Sequence, residues 1–475
     1  MNFMYVPVIF SCCLLSLASV APAQTPPAPA PAPAAKPSVA AIEGSWEGSL
    51  KIPVGDLRLR LNVSRGEGGL KATLDSIDQG ARGIPVSEVS FAEGRLVWRI
   101  ANIGASYEGQ LNEAGDLVTG TFNQGAKLTL NLRRLTAADI AASAPKRPQT
   151  PKPPYPYRSE DVEFSSKAAG IKLAGTLTIP AGPGPHPGLV LISGSGAQDR
   201  DETLFDHKPF AVIADHLARQ GVAVLRYDDR GTAKSGGTFK GATTLDFALD
   251  AEGAFEYLRT RKELASAKLG LGGHSEGGVV APLVAARRTD VAFLVLLAGT
   301  GVPGDQILYA QGAAILRASK APEEAIATQR KMQEAMFRLA ATEMAADEVV
   351  HQIQETLGTQ TGISEMAHQV TEPWFRAFLR LDPAVALAQV KCPVLVLNGE
   401  LDLQVLPDQN VPAIEAALKK GGDKLVEVKR LPKLNHLFQT ANTGGPAEYS
   451  QIEESFSPVA LEAMSSFLRR TTGLK

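Results

Sequence analysis

Residues 268–287 read KLGLGGHSEGGVVAPLVAAR. The segment passes from an apolar strand-like run, through Gly273-His274-Ser275-Glu276-Gly277, into a helical run. Glycines two positions either side of a serine allow a strained strand-to-helix turn to form without side-chain clashes, and such a turn lifts the serine hydroxyl clear of the strand end. Ser275 is therefore the candidate nucleophile. Working outward, HPGLVLISG, FAVIADHLARQ, VAVLRYDD and FALDAEGAFEYLRTR precede it. VAFLVLLAG, CPVLVLNG, KLVEVKRL and the closing SPVALEAMSSFLRR follow it. Continuous apolar strands alternating with amphipathic helices predict a mostly parallel sheet covered on both faces, an α/β domain spanning 158–475. About 305–390 no strand signal appears and Ala, Glu, Gln and Met dominate, which predicts a helical cap inserted in the sheet domain and placed over the site.

A serine hydroxyl needs a histidine to take its proton, and that histidine needs a carboxylate to fix its tautomer. The chain has seven histidines. In the order nucleophile, acid, base, His436 in LNHLF is the expected base, because it alone follows a late strand. The expected acid is Asp402, just beyond VLVLNG; Glu400 beside it and Asp408 further on are weaker candidates. His351 and His368 fall in the cap, and His274 is expected to point away from the serine and pack against the sheet. Acyl transfer also needs N–H donors for the developing oxyanion. The N–H of Glu276, directly after the nucleophile, is one; Gly194-Ser195-Gly196 permits close backbone approach, and the N–H of Ala197 is the expected second. A phosphate-binding role for that loop is disfavoured because no Gly-Lys-Ser/Thr follows it.

Asp199-Arg200-Asp201 and Tyr227-Asp228-Asp229-Arg230-Gly231 are expected to hold loops by local ion pairs. Trp374-Phe375 is expected in the cap core, with lining of an acyl pocket as the alternative. No pair of histidines stands at metal-ligand spacing, so no metal is expected. A net charge of −2 with 21% charged residues gives no electrostatic preference for nucleic acid.

Residues 1–23 form an apolar run ending in Ala21-Pro22-Ala23, the small-residue pattern of a signal peptide cleaved before Gln24. Export to the periplasm or medium is the expectation, with no stable membrane insertion after cleavage. No Lys or Arg precedes Lys36, so an uncleaved anchor is the alternative; Phe10 argues against acylation of Cys12. Cys12 and Cys13 lie within this run, leaving Cys392 alone in the mature chain, where it is expected to be a small buried hydrophobe. Residues 24–41 read as a Pro/Ala-rich extended spacer. Residues 42–135 alternate in short apolar runs broken by glycine, which predicts a small antiparallel barrel-like β domain. Within it WEGSLKIPVGDLRLRL and YEGQLNEAGDLVTGTF echo one another, as hairpins of a meander would. Residues 136–157, rich in Ala, Pro and basic residues, read as a linker.

GSGAQDRDE, YDDRGTAKSGG, GGHSEGG, PVLVLNGELD and LNHLF together resemble the bacterial esterase-D-like branch of the α/β hydrolases, over about Ser159 to Lys475. The resemblance implies hydrolysis of short to medium acyl esters without a cofactor, on a small-molecule substrate, with Ser275, Asp402 and His436 as nucleophile, acid and base. The same triad serves a peptidase, or an amide, lactone or acyl-sugar hydrolase. A reading of another class makes the β domain a binder of envelope ligands and the site vestigial. Ala233 departs from the resemblance, since related sequences carry glycine there.

Overall fold

A computed structural model describes residues 39–475 apart from 53–54, 67, 79–80, 144–145, 169, 423–424 and 475. The expected signal sequence, Cys12, Cys13 and the spacer up to residue 38 lie outside the described residues. The chain divides into two compact units at residues 144 and 145.

The N-terminal unit is a sheet of nine antiparallel strands: β1 (Gly44–Ile52), β2 (Gly55–Gly66), β3 (Gly69–Ser76), β4 (Ala81–Pro85), β5 (Glu88–Ala92), β6 (Arg95–Ile100), β7 (Ala105–Leu111), β8 (Leu117–Gln124) and β9 (Ala126–Arg134). Their order is β4-β3-β2-β1-β9-β8-β7-β6-β5, so β4 and β5 are edges and the sheet is curled but not closed by hydrogen bonds. Period-two alternation sends one set of side chains inward: Leu96, Trp98 and Ile100 of β6 are buried, as are Trp46, Leu50, Leu61 and Tyr107. The two echoing segments are the β1–β2 and β7–β8 hairpins. The edge strands bury little and so carry weak alternation; ARGIP of β4 has one buried residue.

A short helix, α1 (Ala137–Ser143), occupies the first part of the expected linker. The second part is not a free linker. Arg147 donates to the carbonyls of Phe205, Ser450 and Ile452, and the Gln149 side chain accepts from the Phe456 N–H and donates to the Phe456 carbonyl.

The C-terminal unit holds an eight-stranded sheet. Its strands and helices run β10 (Arg158–Ser165), β11 (Lys172–Ile179), β12 (His186–Ile192), α2 (Pro209–Arg219), β13 (Ala223–Tyr227), α3 (Thr244–Arg259), β14 (Leu264–His274), α4 (Gly277–Ala285) and β15 (Leu294–Leu297). After β15 come α5 (Gly304–Ala318), α6 (Glu323–Ala340), α7 (Ala346–Leu357), α8 (Thr361–Val370), α9 (Pro373–Arg380) and α10 (Pro383–Leu387). The sheet then resumes with β16 (Val394–Gly399), α11 (Pro407–Lys420), β17 (Val426–Leu431) and α12 (Pro458–Thr472). The strand order is β10-β11-β13-β12-β14-β15-β16-β17, antiparallel at β10–β11 and β11–β13 and parallel from there on.

Alternate residues of the central strands feed two separate cores, which is why these strands read as continuous apolar runs. Val190, Leu271, Leu296 and Val396 pack with Phe255 of α3, Val284 of α4 and Ile414 of α11. Leu191, Val295 and Leu397 pack with Ile213 of α2 and Met464 and Phe467 of α12. Each fully buried side chain of this kind contributes about 1.5–3 kcal/mol by leaving water. Helices α5 to α9 have a core of their own, built on Met336, Phe337, Val349, Ile353, Phe375 and Leu379. That core lets the cap stand as an insertion between β15 and β16. Among the described residues no helix is long and apolar enough to cross a membrane.

Candidate active site

Ser275 sits between β14 and α4 with φ of 52°, a left-handed conformation that costs a non-glycine residue energy and persists only where its surroundings fix it. Here the Ser275 N–H donates to the Leu297 carbonyl at 2.9 Å and the Gly278 N–H donates back to the Ser275 carbonyl at 2.9 Å. The flanking glycines have a steric cause. A Cβ on Gly273 would overlap the Gly277 carbonyl, and one on Gly277 would overlap that of Ile192. Both obstructions are backbone, which cannot rotate aside. Gly273→Ala is therefore expected to destabilise the protein at the upper end of the overpacking range, about 1–3 kcal/mol, and to reduce turnover far more than its thermal midpoint suggests; unfolding and kcat measured on the same preparation check this.

Asp402 follows β16 and is buried. Its Oδ1 accepts from the N–H groups of Gln404 at 2.8 Å and Val405 at 2.9 Å, and its Oδ2 accepts from Asn398 Nδ2 at 3.2 Å and from His436 Nδ1 at 2.9 Å. A carboxylate so saturated is fixed in place, and it fixes the imidazole tautomer that keeps Nε2 unprotonated. His436 lies in the loop after β17 and is buried, and its Nε2 has no hydrogen-bond partner. No hydrogen bond joins the Ser275 hydroxyl to it. Buried polar atoms are nearly always paired, so an unpaired ring nitrogen on a carboxylate-anchored histidine marks a reactive position.

The Glu276 N–H is at the start of α4, where helix N–H groups lack intrahelical acceptors and carry the positive end of the helix dipole. The loop carrying Ala197 is tied at both ends to Asp229: Ser193 Oγ donates to Oδ1 at 2.8 Å and the Gln198 N–H donates to Oδ2 at 2.9 Å. Gly194 presses against the nucleophile, for a Cβ there would stand 3.2 Å from Ser275 Cβ. Its N–H is committed to Glu202 Oε1 at 2.7 Å. Burial pushes the Asp229 carboxyl well above its usual range, and its bonds to Gln198 and Ser193 only partly offset this.

The weaker acid candidates stand elsewhere. Glu400 is exposed, and Asp408, on the first turn of α11, pairs with Arg430 at 2.7 Å on the surface. His351 pairs with Glu355 along α7, and His368 lies in the last turn of α8. The two charged motifs hold loops: Arg200 makes a two-point pair with Asp228, and Arg230 makes one with Asp250. Ala233, which departs from the resemblance, has φ of 45°, a conformation that favours glycine. Cys392 is only partly buried, not a fully buried hydrophobe. Among the described residues no group of three or more His, Cys, Asp or Glu is placed to hold a metal ion.

Two features escaped the sequence reading. The first is the side chain of Glu276, buried behind the nucleophile, where it accepts from Thr244 Oγ1 of α3 at 2.6 Å and from Trp374 Nε1 of α9 at 2.8 Å. It thereby joins cap to core, and burial raises its pKa against the lowering effect of those two donors. Trp374 also stacks on Phe378, with centroids 5.1 Å apart. Trp374→Phe keeps the stack and removes the donor; the expected cost is about 1–3 kcal/mol for a buried acceptor losing a partner, checked by denaturant unfolding. The second is His274, expected to pack passively against the sheet. It is instead bonded at both nitrogens, to Glu202 Oε1 at 2.9 Å and to the His436 carbonyl at 3.0 Å.

A buried nucleophile turn, a carboxylate-anchored histidine and two candidate donor loops, all at the carboxyl ends of parallel strands, meet the requirements for acyl transfer. Residues 207–440, which contain Ser275, Asp402 and His436, match the family described as serine aminopeptidase, S33. The C-terminal unit has the α/β-hydrolase fold. This hydrolase is 29% identical to Esterase EstD of Thermotoga maritima over 284 residues, which cover 58% of the present chain and 61% of the relative. Among solved structures, an α/β hydrolase from Penicillium has 18% identity and a TM-score of 0.44, covering 66% of this chain and 99% of its own. An esterase of Pyrococcus furiosus has 17% identity and a TM-score of 0.42, covering 69% of this chain and 98% of its own.

Proposed function

We propose that the hydrolase cleaves carboxylic esters of short to medium acyl chain through an acyl-enzyme on Ser275. The observation that carries this reading is the unpartnered Nε2 of His436, held by Asp402 on its other nitrogen beside a strained serine turn. Ser275 Oγ attacks the carbonyl carbon while His436 Nε2 takes its proton. The oxyanion so formed rests on the N–H of Glu276 and, in the proposed arrangement, on that of Ala197. Collapse breaks the bond to the alcohol, which leaves with the proton from His436. Water then repeats the sequence on the acyl-enzyme, releasing acid and free serine. Similarity to Esterase EstD supports the ester; the aminopeptidase description of the matching family supports amides as the second reading. Parallel assays on p-nitrophenyl acetate, butyrate and octanoate and on amino-acid p-nitroanilides separate the two. The ester reading requires kcat/KM to be higher on at least one ester than on every anilide.

For location, we propose export directed by residues 1–23, on the strength of the apolar run and the Ala21-Pro22-Ala23 site. N-terminal sequencing of the protein recovered outside the cytoplasm is expected to begin at Gln24.

A further inference from the structure

We propose that Glu202 and His274 form a buried ion pair that positions the catalytic groups, with His274 carrying the positive charge. The inference rests on the serine-hydrolase reading above. Both side chains are buried. His274 adjoins the nucleophile, and its two ring nitrogens face two acceptors: Glu202 Oε1 at 2.9 Å and the main-chain carbonyl of His436 at 3.0 Å. Two acceptors on two nitrogens call for a proton on each, the imidazolium form. The same Glu202 oxygen accepts the Gly194 N–H at 2.7 Å. One ion pair thus ties together the loop facing the serine, the serine turn and the loop of the base. The contacts cross 72 and 162 positions of sequence. Glu202 itself is held with φ of 52°, a left-handed conformation that persists only where its surroundings fix it.

The groups facing the His274 ring come from every neighbouring segment. Glu202 comes from the loop after β12, Asp402 from the turn after β16, and the ring of His436, with its centroid 4.8 Å away, from the loop after β17. The Phe438 ring lies 6.3 Å away on the same loop. Burial works against the charge on His274, but the negative charge of Glu202, the hydrogen bonds to Glu202 and to the His436 carbonyl, and the more distant Asp402 outweigh it, so the pKa is raised. A histidine whose folded pKa lies above its unfolded value stabilises fully below the unfolded pKa and loses that contribution as pH rises through the folded one. The positioning bonds therefore fail on the alkaline side, and they fail together: a neutral His274 can donate to only one of its two acceptors.

The test uses the full mature chain with isotope-labelled histidine. NMR titration of the wild type is expected to show His274 charged at neutral pH and losing its proton at a higher pH than a free histidine, in step with a fall in kcat at nearly constant KM. Glu202→Gln keeps an acceptor oxygen for Gly194 and removes the charge. It is expected to move the His274 titration and the alkaline limb of kcat to lower pH together, with kcat at pH 8 down on the order of 10- to 100-fold, the scale of a displaced catalytic group. A neutral His274 in the wild type at pH 7, or an alkaline limb that Glu202→Gln leaves in place, overturns the proposal. Failure of the serine-hydrolase reading looks different, since the wild type would then show no turnover at any pH whatever His274 does.

Discussion

Replacing Ser275 with alanine is expected to lower kcat on p-nitrophenyl butyrate by roughly 10⁶-fold, the scale on which loss of a triad nucleophile removes covalent catalysis. The fold should survive, because the turn is held by main-chain bonds from Ser275 N–H to Leu297 and from Gly278 N–H to Ser275, none of which involves the hydroxyl. Alanine in place of serine retains the Cβ and its φ of 52°, so the conformational cost of the turn is unchanged. Thermal unfolding within about 0.5 kcal/mol of wild type, as for a substitution that touches no packing, beside a near-complete loss of turnover, is the expected pair of results. A variant that unfolds early would make its loss of activity a folding effect, and a variant that turns over at a tenth of the wild-type rate would exclude Ser275 as nucleophile.

The second large effect is expected at Asp402→Asn. The amide retains an oxygen to accept from the Gln404 and Val405 N–H groups, so the turn after β16 keeps its shape. Its NH₂ then faces His436 Nδ1, which must accept, and the ring proton moves to Nε2. A base whose reactive nitrogen is already protonated cannot take the serine proton, and a loss of about 10⁴-fold in kcat is expected. KM should change little, since nothing in this contact touches the substrate. Steady-state kinetics at pH 7 checks the split. A large rise in KM with kcat preserved would assign Asp402 to binding and not to the base.

Much of this could be read from the chain because the relevant signals are local. The glycines about Ser275 are forced by backbone overlap with Gly277 and Ile192, so the turn leaves a sequence trace. Strands of the hydrolase sheet feed two cores at once and so read as unbroken apolar runs. The order of Ser275, Asp402 and His436 follows the order of β14, β16 and β17. Where the determinant is a contact between distant segments, no such trace exists. Glu202 and Glu276 are acidic residues in a polar loop and a tight turn, and only the fold shows that both are buried and that each joins three segments. His274 is expected to pack passively against the sheet, and what it meets instead is Glu202 and the His436 carbonyl. β4 and β5 leave little trace for a different reason, since edges bury too little to impose a pattern. The second half of the 136–157 stretch looked loose by composition, while Arg147 and Gln149 spend their side chains on carbonyls near the C-terminus.

The central claim is that Ser275 is the group acylated in turnover. The most direct measurement is to treat the mature protein with a fluorophosphonate, digest it and locate the adduct by peptide mass spectrometry, with Ser275→Ala treated in parallel. One adduct is expected, on the peptide containing Gly273-His274-Ser275-Glu276-Gly277, in step with loss of turnover, and none in the variant. An adduct on another serine, or inactivation of the variant at the wild-type rate, would contradict it.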